Sequence, residues 1–321
     1  MTRHLAGRLL EFIPLLLGLS AILFLILALA PGDPIDLMLA TGPRTHSVDL
    51  AQLKRAYGLD QPIWIRYIKW LGRVLQGDLG WSLQDRTPVV DLIAERLPRS
   101  LALMGSGLLL ATLVAIPVGV YAALRQYSLA DYAVSIVSFI GFSVPLFWMG
   151  LGLIYIFSVE LRWLPAGGLA SASGATGLMG VVDMLLHLVM PMIVITMYNM
   201  AALMRYTRSA TLEVIHQDYI RTARAKGLGE RTVVFRHSLR NALLPIVTVL
   251  ALLLPGLFGG APVTESVFSW PGIGQLLVQA VLAGDLVVAQ GVLLVLSLMV
   301  LLSSLLADVL YALLDPRVRF D

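Results

Sequence analysis

The chain has 321 residues, 58% hydrophobic and 13% charged, with a mean hydropathy of +0.84 and a formal net charge of +3. A soluble domain carries about 25% charged residues, so this composition excludes a water-soluble fold for most of the chain. The absence of cysteine excludes disulfides, thiol catalysis and cysteine-ligated metal centres.

A helix that crosses a bilayer needs about 20 mainly apolar residues. Six stretches qualify, at 12–30, 101–124, 132–159, 184–204, 241–264 and 286–307, and none contains Asp, Glu, Lys or Arg. Long continuous apolar runs argue against a membrane barrel, whose strands alternate over about 10 residues. The expected fold is therefore all-α and polytopic, with six spans. It divides into residues 1–30 (N-terminus and first span), 31–99 (a segment outside the membrane) and 100–321 (the remaining spans and their loops).

The first span follows Arg3 and Arg8 and ends in Ala28-Leu29-Ala30, which imitates a signal-peptide cleavage site. Its apolar run is longer than the 7–15 residues of a signal core, and Pro31 would follow the cut. It is read as a retained span. Pro31-Gly32-Asp33-Pro34 stops it, and short amphipathic helices are expected at 51–57 and 64–75, separated by Gly58 and Pro62. Trp64, Trp70 and Trp81 belong to a small external cap or to the headgroup layer.

Thirteen of the 23 Lys and Arg fall in the N-terminus, the 125–131 turn, the 205–240 loop and the C-terminal tail. Apart from the long 31–99 segment, the opposite side holds Arg162 alone. The excess of basic residues on cytoplasmic loops therefore places both termini in the cytoplasm. Asp308, near the end of the last span, is expected to pair with Arg317 or Arg319. His187, the sole imidazole in the spans, reads as a packed side chain.

The 205–240 loop reads either as a solvated basic loop resting on anionic lipid headgroups or as a segment built to meet another protein. Residues 219–226 are strong helix formers that end at Gly227, a natural left-handed cap. Arg221, Arg224 and Lys226 fall in the last two turns, where the helix dipole favours cations, and Ala223 and Ala225 keep part of the surface low. A second helical stretch, 231–244, leads to Pro245 and the fifth span.

The run Tyr219-Ile-Arg-Thr-Ala-Arg-Ala-Lys-Gly-Leu228, followed by Arg240-Asn-Ala-Leu-Leu-Pro245, resembles the signature of importer permeases of the ATP-binding-cassette (ABC) superfamily. More narrowly, it is similar to the dipeptide/oligopeptide/nickel permease family. The resemblance extends to Pro31–Pro34, to Gly77-Asp-Leu-Gly-Trp-Ser82, to Trp270-Pro-Gly-Ile-Gly274 and to 308–319. It looks like the first of the two permeases that such systems pair. Two departures are Ser303-Ser304, where an Asn is expected, and Glu213-Val-Ile in place of a Glu-Ala-Leu opening.

The resemblance implies a type I importer fold and a helix seated in a cleft of a partner ATPase. The coupling residues would be Glu213, Asp218, Tyr219, Arg221, Ala223, Arg224, Ala225, Lys226, Gly227 and Leu228. Among them, Ala223 and Gly227 would allow close approach and the basic residues would make polar contacts. This chain has no Gly-Lys-Ser/Thr phosphate loop, so it is not expected to be an enzyme. ATP and Mg²⁺ would be bound by two partner subunits. A second permease, an external substrate-binding protein and membrane lipids complete the expected partners, with no nucleic acid and no metal. The binding protein would dock on 31–99 and on the 265–285 loop, which has two acids and no Lys or Arg.

Proline and glycine in the third and fifth spans point to a pathway near Phe142, Ser143, Pro145, Phe258 and Gly259. The resemblance implies di- or oligopeptides as the solute carried across the cytoplasmic membrane, with nickel chelates, glutathione or another small solute such as a sugar as the alternative. A secondary transporter is disfavoured because the spans lack Asp, Glu, Lys and Arg. An intramembrane enzyme is disfavoured because they hold no nucleophile–base pair.

Overall fold

A computed structural model of the chain describes residues 2–29, 61–171, 174 and 176–314. Among the described residues are eleven α-helices of six residues or more and no strand. The expected helix at 51–57 and the partners proposed for Asp308 lie outside the described residues.

The helices are α1 (Thr2–Leu29), α2 (Ile63–Val74), α3 (Val89–Leu124), α4 (Leu129–Ser143) and α5 (Leu146–Leu153). A π-helical stretch, Ile154–Glu160, continues α5. Then come α6 (Gly177–Ile215), α7 (Asp218–Ala225) and α8 (Leu239–Phe258), the last led in by Glu230–Thr232 and the π-helical Val233–Ser238. The chain closes with α9 (Pro262–Val267), α10 (Ile273–Leu282) and α11 (Leu286–Leu314).

Three helices are by themselves long and apolar enough to cross a membrane: α3, α6 and α11. Two bent pairs qualify jointly, α4 with α5 and the lead-in with α8, whereas α1 contributes the shorter apolar stretch Leu10–Ile26. The six apolar segments read from the sequence are thus all helical, but their boundaries shift. α3 starts at Val89, twelve residues ahead of position 101, because Pro88 sits at its N-terminus with extended backbone and presents no N–H to be satisfied. The fifth stretch ends at Phe258 and not at 264, since Gly260 turns the chain at φ +68° before α9 begins on Pro262.

The third stretch departs most. A single helix over 132–159 was expected; instead α4 and α5 meet at 103°. Pro145 cannot donate to the helical ladder, and the residue before a proline is pushed out of the α region. Val144 accordingly lies at φ −83°, ψ 122°.

The core runs along α3 and α6, which lie parallel. Ala111 and Ala115 are fully buried against Leu203 and Met204, with Val249, Leu250 and Leu253 of α8 packed on the same cluster. Small side chains at such a seam let two helices approach closely, which substitutes for the hydrophobic drive missing in lipid. Thr196 Oγ1 donates to Gly107 O across the seam at 3.2 Å. α4 packs antiparallel on α6, and α11 packs on α8 and α1. Phe24 of α1 meets Tyr67 and Trp70 of α2, and the Ser20 and Tyr67 hydroxyls share a 2.8 Å hydrogen bond. The bundle therefore has two ends, one carrying α2, α9 and α10, the other carrying the α3–α4 turn and α7.

Candidate functional site: the α7 face and the segments that hold it

α7 is a short amphipathic helix whose two faces do different work. Ile220 and Ala223 turn inward and bury against Val233 of the lead-in to α8. Asn241 Nδ2 donates to Tyr219 Oη at 3.0 Å, a second tie to α8. The helix ends in a Schellman turn: Leu228 N–H donates to Ala223 O and Gly227 N–H to Arg224 O. That turn places Gly227 at φ +76°, a conformation costly for any residue with a Cβ.

Across the turn, Arg224 grips Glu230 with two hydrogen bonds, Nε–Oε2 at 3.2 Å and Nη2–Oε1 at 2.7 Å. The guanidinium holds the Glu230 carboxyl below the usual carboxylate range. Arg221 lies 3.4 Å from Asp218 on the exposed side.

Asp218, Tyr219, Arg221, Thr222, Arg224, Ala225, Lys226, Gly227 and Leu228 are exposed. Ala223 is not, its small side chain lying against Val233 in the chain's own lead-in to α8. Glu213 stands apart, exposed on the last turn of α6. The first third of the expected 205–240 loop is in fact a continuation of that helix.

α7 is carried on two rigid supports. One is α8. The other is α6, which Arg208 fastens to α4 through a two-pronged ion pair with the buried Asp131, Nη2–Oδ2 at 2.9 Å. The Tyr127 N–H donates to the same carboxylate at 3.0 Å.

At the opposite end, the 265–285 segment corrects the sequence reading. Both of its acids are buried, Glu265 completely and Asp285 to 3% exposure, so neither offers charge to a docking protein. Glu265 accepts from Ser100 Oγ at 2.6 Å and from Gln275 N at 2.9 Å, while Trp270 Nε1 donates to Arg99 O at 3.1 Å. A Cβ on Gly272 would stand 2.4 Å from that carboxyl group, so only glycine fits there. Asp285 accepts from Ser82 Oγ (2.7 Å), Leu83 N (2.9 Å) and, through its other oxygen, Val288 N (3.2 Å) at the start of α11. The motifs at 77–82 and 270–274 are thus wrapped around two buried carboxyl groups. Their only sequence signal was an acid flanking an apolar run. His187 is packed as expected, its Nδ1 2.8 Å from Asp183 O.

Phe142, Ser143 and Pro145 are exposed at the α4–α5 break, while Phe258 and Gly259 are half-buried at the far end of α8. The cavity between α3 and α8, about 310 Å³, is lined by Gly105, Leu108, Thr112, Val247, Leu250 and Leu254 and by none of these five.

A two-faced helix on a six-segment apolar bundle is a recognisable combination, and comparison with known proteins decides what it belongs to. The model of the binding-protein-dependent transport system inner membrane component matches residues 115–320, and its N-terminal companion matches residues 1–104. The chain belongs to this permease family. The oligopeptide transport system permease protein AppB of Bacillus subtilis (strain 168) is 43% identical over 321 residues, covering 100% of both chains. The di/tripeptide transport system permease protein DppB of Pseudomonas aeruginosa (strain UCBPP-PA14) is 40% identical, covering 99% of both. Among solved structures, an inward-facing conformation of the MetNI methionine ABC transporter aligns with a TM-score of 0.54 at 21% identity, covering 70% of this chain and 96% of that one. That likeness establishes the type I permease fold. The chain is a multi-pass inner-membrane permease subunit of an ABC importer, a system that works with ATPase and substrate-binding partners.

Proposed function

We propose that the chain passes peptides into the cell as one of two paired permeases, driven by ATP hydrolysis on two separate subunits that grip α7. The carrying observation is the division of α7 into an inward apolar face and an outward charged one. A helix held rigid by Ile220, Ala223 and the Arg224–Glu230 clasp transmits a push instead of folding under it. Its exposed Asp218, Arg221, Ala225 and Lys226 form the face offered to the ATPase cleft. Peptides are the solute favoured by the names of the relatives, and an external binding protein delivers them.

In this reading the α7 end and both termini face the cytoplasm of a prokaryotic cell, following the placement of Lys and Arg. ATP and Mg²⁺ bind on the partner subunits, and closure of the two ATPases rocks the helices between inward- and outward-open states. This chain itself performs no chemistry.

The test is uptake of labelled alanine peptides into vesicles holding the complex of both permeases, the ATPases and the binding protein. Uptake is expected to require ATP. Uptake driven by a proton or sodium gradient without nucleotide would refute the assignment.

A further inference from the structure

Arg205 lies one position beyond the fourth apolar stretch as read from the sequence, and the spans therefore seemed free of charge. The structure changes this, because α6 runs on to Ile215. Arg205 and Arg208 are neighbours on α6 but point opposite ways. Arg208 reaches the first turn of α4, at Asp131. The Arg205 guanidinium instead stands over the ring of Phe142, 5.2 Å from its centroid, at the last turn of α4. Those two positions are about 16 Å apart along α4 at 1.5 Å per residue. Side chains on a helix lean toward its N-terminus, and for α6 that direction leads away from the α7 end. Arg205 thus carries its charge into the apolar layer and not out to the nearer surface.

The Tyr206 ring lies 5.9 Å from the same guanidinium. No carboxylate among the described residues meets it, yet the side chain is exposed. A charge at this depth is costly unless it faces a water-filled path or a partner. A second observation falls at the same place. α4 breaks at Val144-Pro145, immediately beyond Phe142, and broken helices near the middle of a membrane are a recurring way of building solute sites.

We propose that Arg205, with Phe142 and Tyr206, forms a site for a carboxylate of the transported solute where α4 breaks. The guanidinium supplies a planar, two-pronged donor that suits a carboxylate. The flanking rings hold the cation without neutralising it. Phe142 and Ser143 then line the path, whereas Phe258 and Gly259 do not belong to this site. The assignment of a peptide as the carboxylate's bearer rests on the proposed function. A lipid phosphate offers the same chemistry, and the experiment separates the two.

The complete complex is reconstituted in phosphatidylcholine vesicles, and ATP-driven uptake of labelled alanine peptides is compared for the native chain, R205K and R205Q. R205Q is expected to lower uptake about tenfold or more, the loss expected for a charged hydrogen bond, with R205K retaining a large part. Because the chain has no cysteine, S143C adds a unique thiol beside Phe142 at the exposed α4 break and leaves the Arg205 guanidinium in place. It should react with an anionic methanethiosulfonate, and peptide with a free C-terminus should slow that reaction whereas the C-terminally amidated peptide should not. Phosphatidylglycerol alone protecting the thiol would assign Arg205 to lipid and overturn the proposal. R205Q with native uptake, or a thiol that the reagent never reaches, overturns it as well. A native complex that takes up no peptide overturns the peptide reading and the carboxylate source together, an outcome distinct from failure of R205Q alone.

Discussion

Gly227 and Ala223 looked alike in the sequence, two small residues on one exposed helix, and the structure separates them. At Gly227 nothing lies within 4 Å of where a Cβ would stand, so space is no constraint. The constraint is φ +76°, which costs a residue with a Cβ roughly 1–2 kcal/mol. Gly227→Val should therefore loosen the end of α7, reduce copurification of the ATPase and abolish transport, while membrane insertion is unchanged. Gly227→Asn, which tolerates the left-handed region, should keep much of both. Equal damage from the two would show that the partner needs the missing side chain and not the turn. The glycine was legible because a cap leaves a local signature. The direction of Ala223 was not, since it depends on Val233, ten residues on, folding back over α7.

The helices themselves were readable because each is a long apolar run, and their ends were less so because polar contacts from distant segments set them. Nothing near Ser82 announces that Asp285, some two hundred residues away, will accept its hydroxyl. The two acids of the 265–285 segment seemed free for docking only because burial cannot be read from an isolated carboxylate. Asp285 both caps α11 and anchors the 82–84 turn. Asp285→Ala should consequently destabilise the α2 end by about 2–4 kcal/mol, combining a lost cap with lost bonds to a charged group. Thermal unfolding of the purified complex should register it, and ATPase copurification through α7 should not change. Native unfolding behaviour in this variant would mean that the 77–89 segment is held by its apolar contacts alone.

Across the whole molecule, motion imposed on α7 has two routes inward, α8 by direct contact and α6 by continuity of the chain. The Asp131–Arg208 pair extends the second route to α4, the helix whose break carries Phe142 and Pro145. Removing one member of a buried ion pair strands the other, at a cost of about 3–5 kcal/mol. Asp131→Asn should lower the unfolding temperature near neutral pH and reduce solute carried per ATP hydrolysed. Exchanging the charges, D131R with R208D, should restore part of the transport yield per ATP. If stability returns while that yield stays low, the pair holds the helices together without carrying motion between them, and α8 is the sole route from α7 to the pathway.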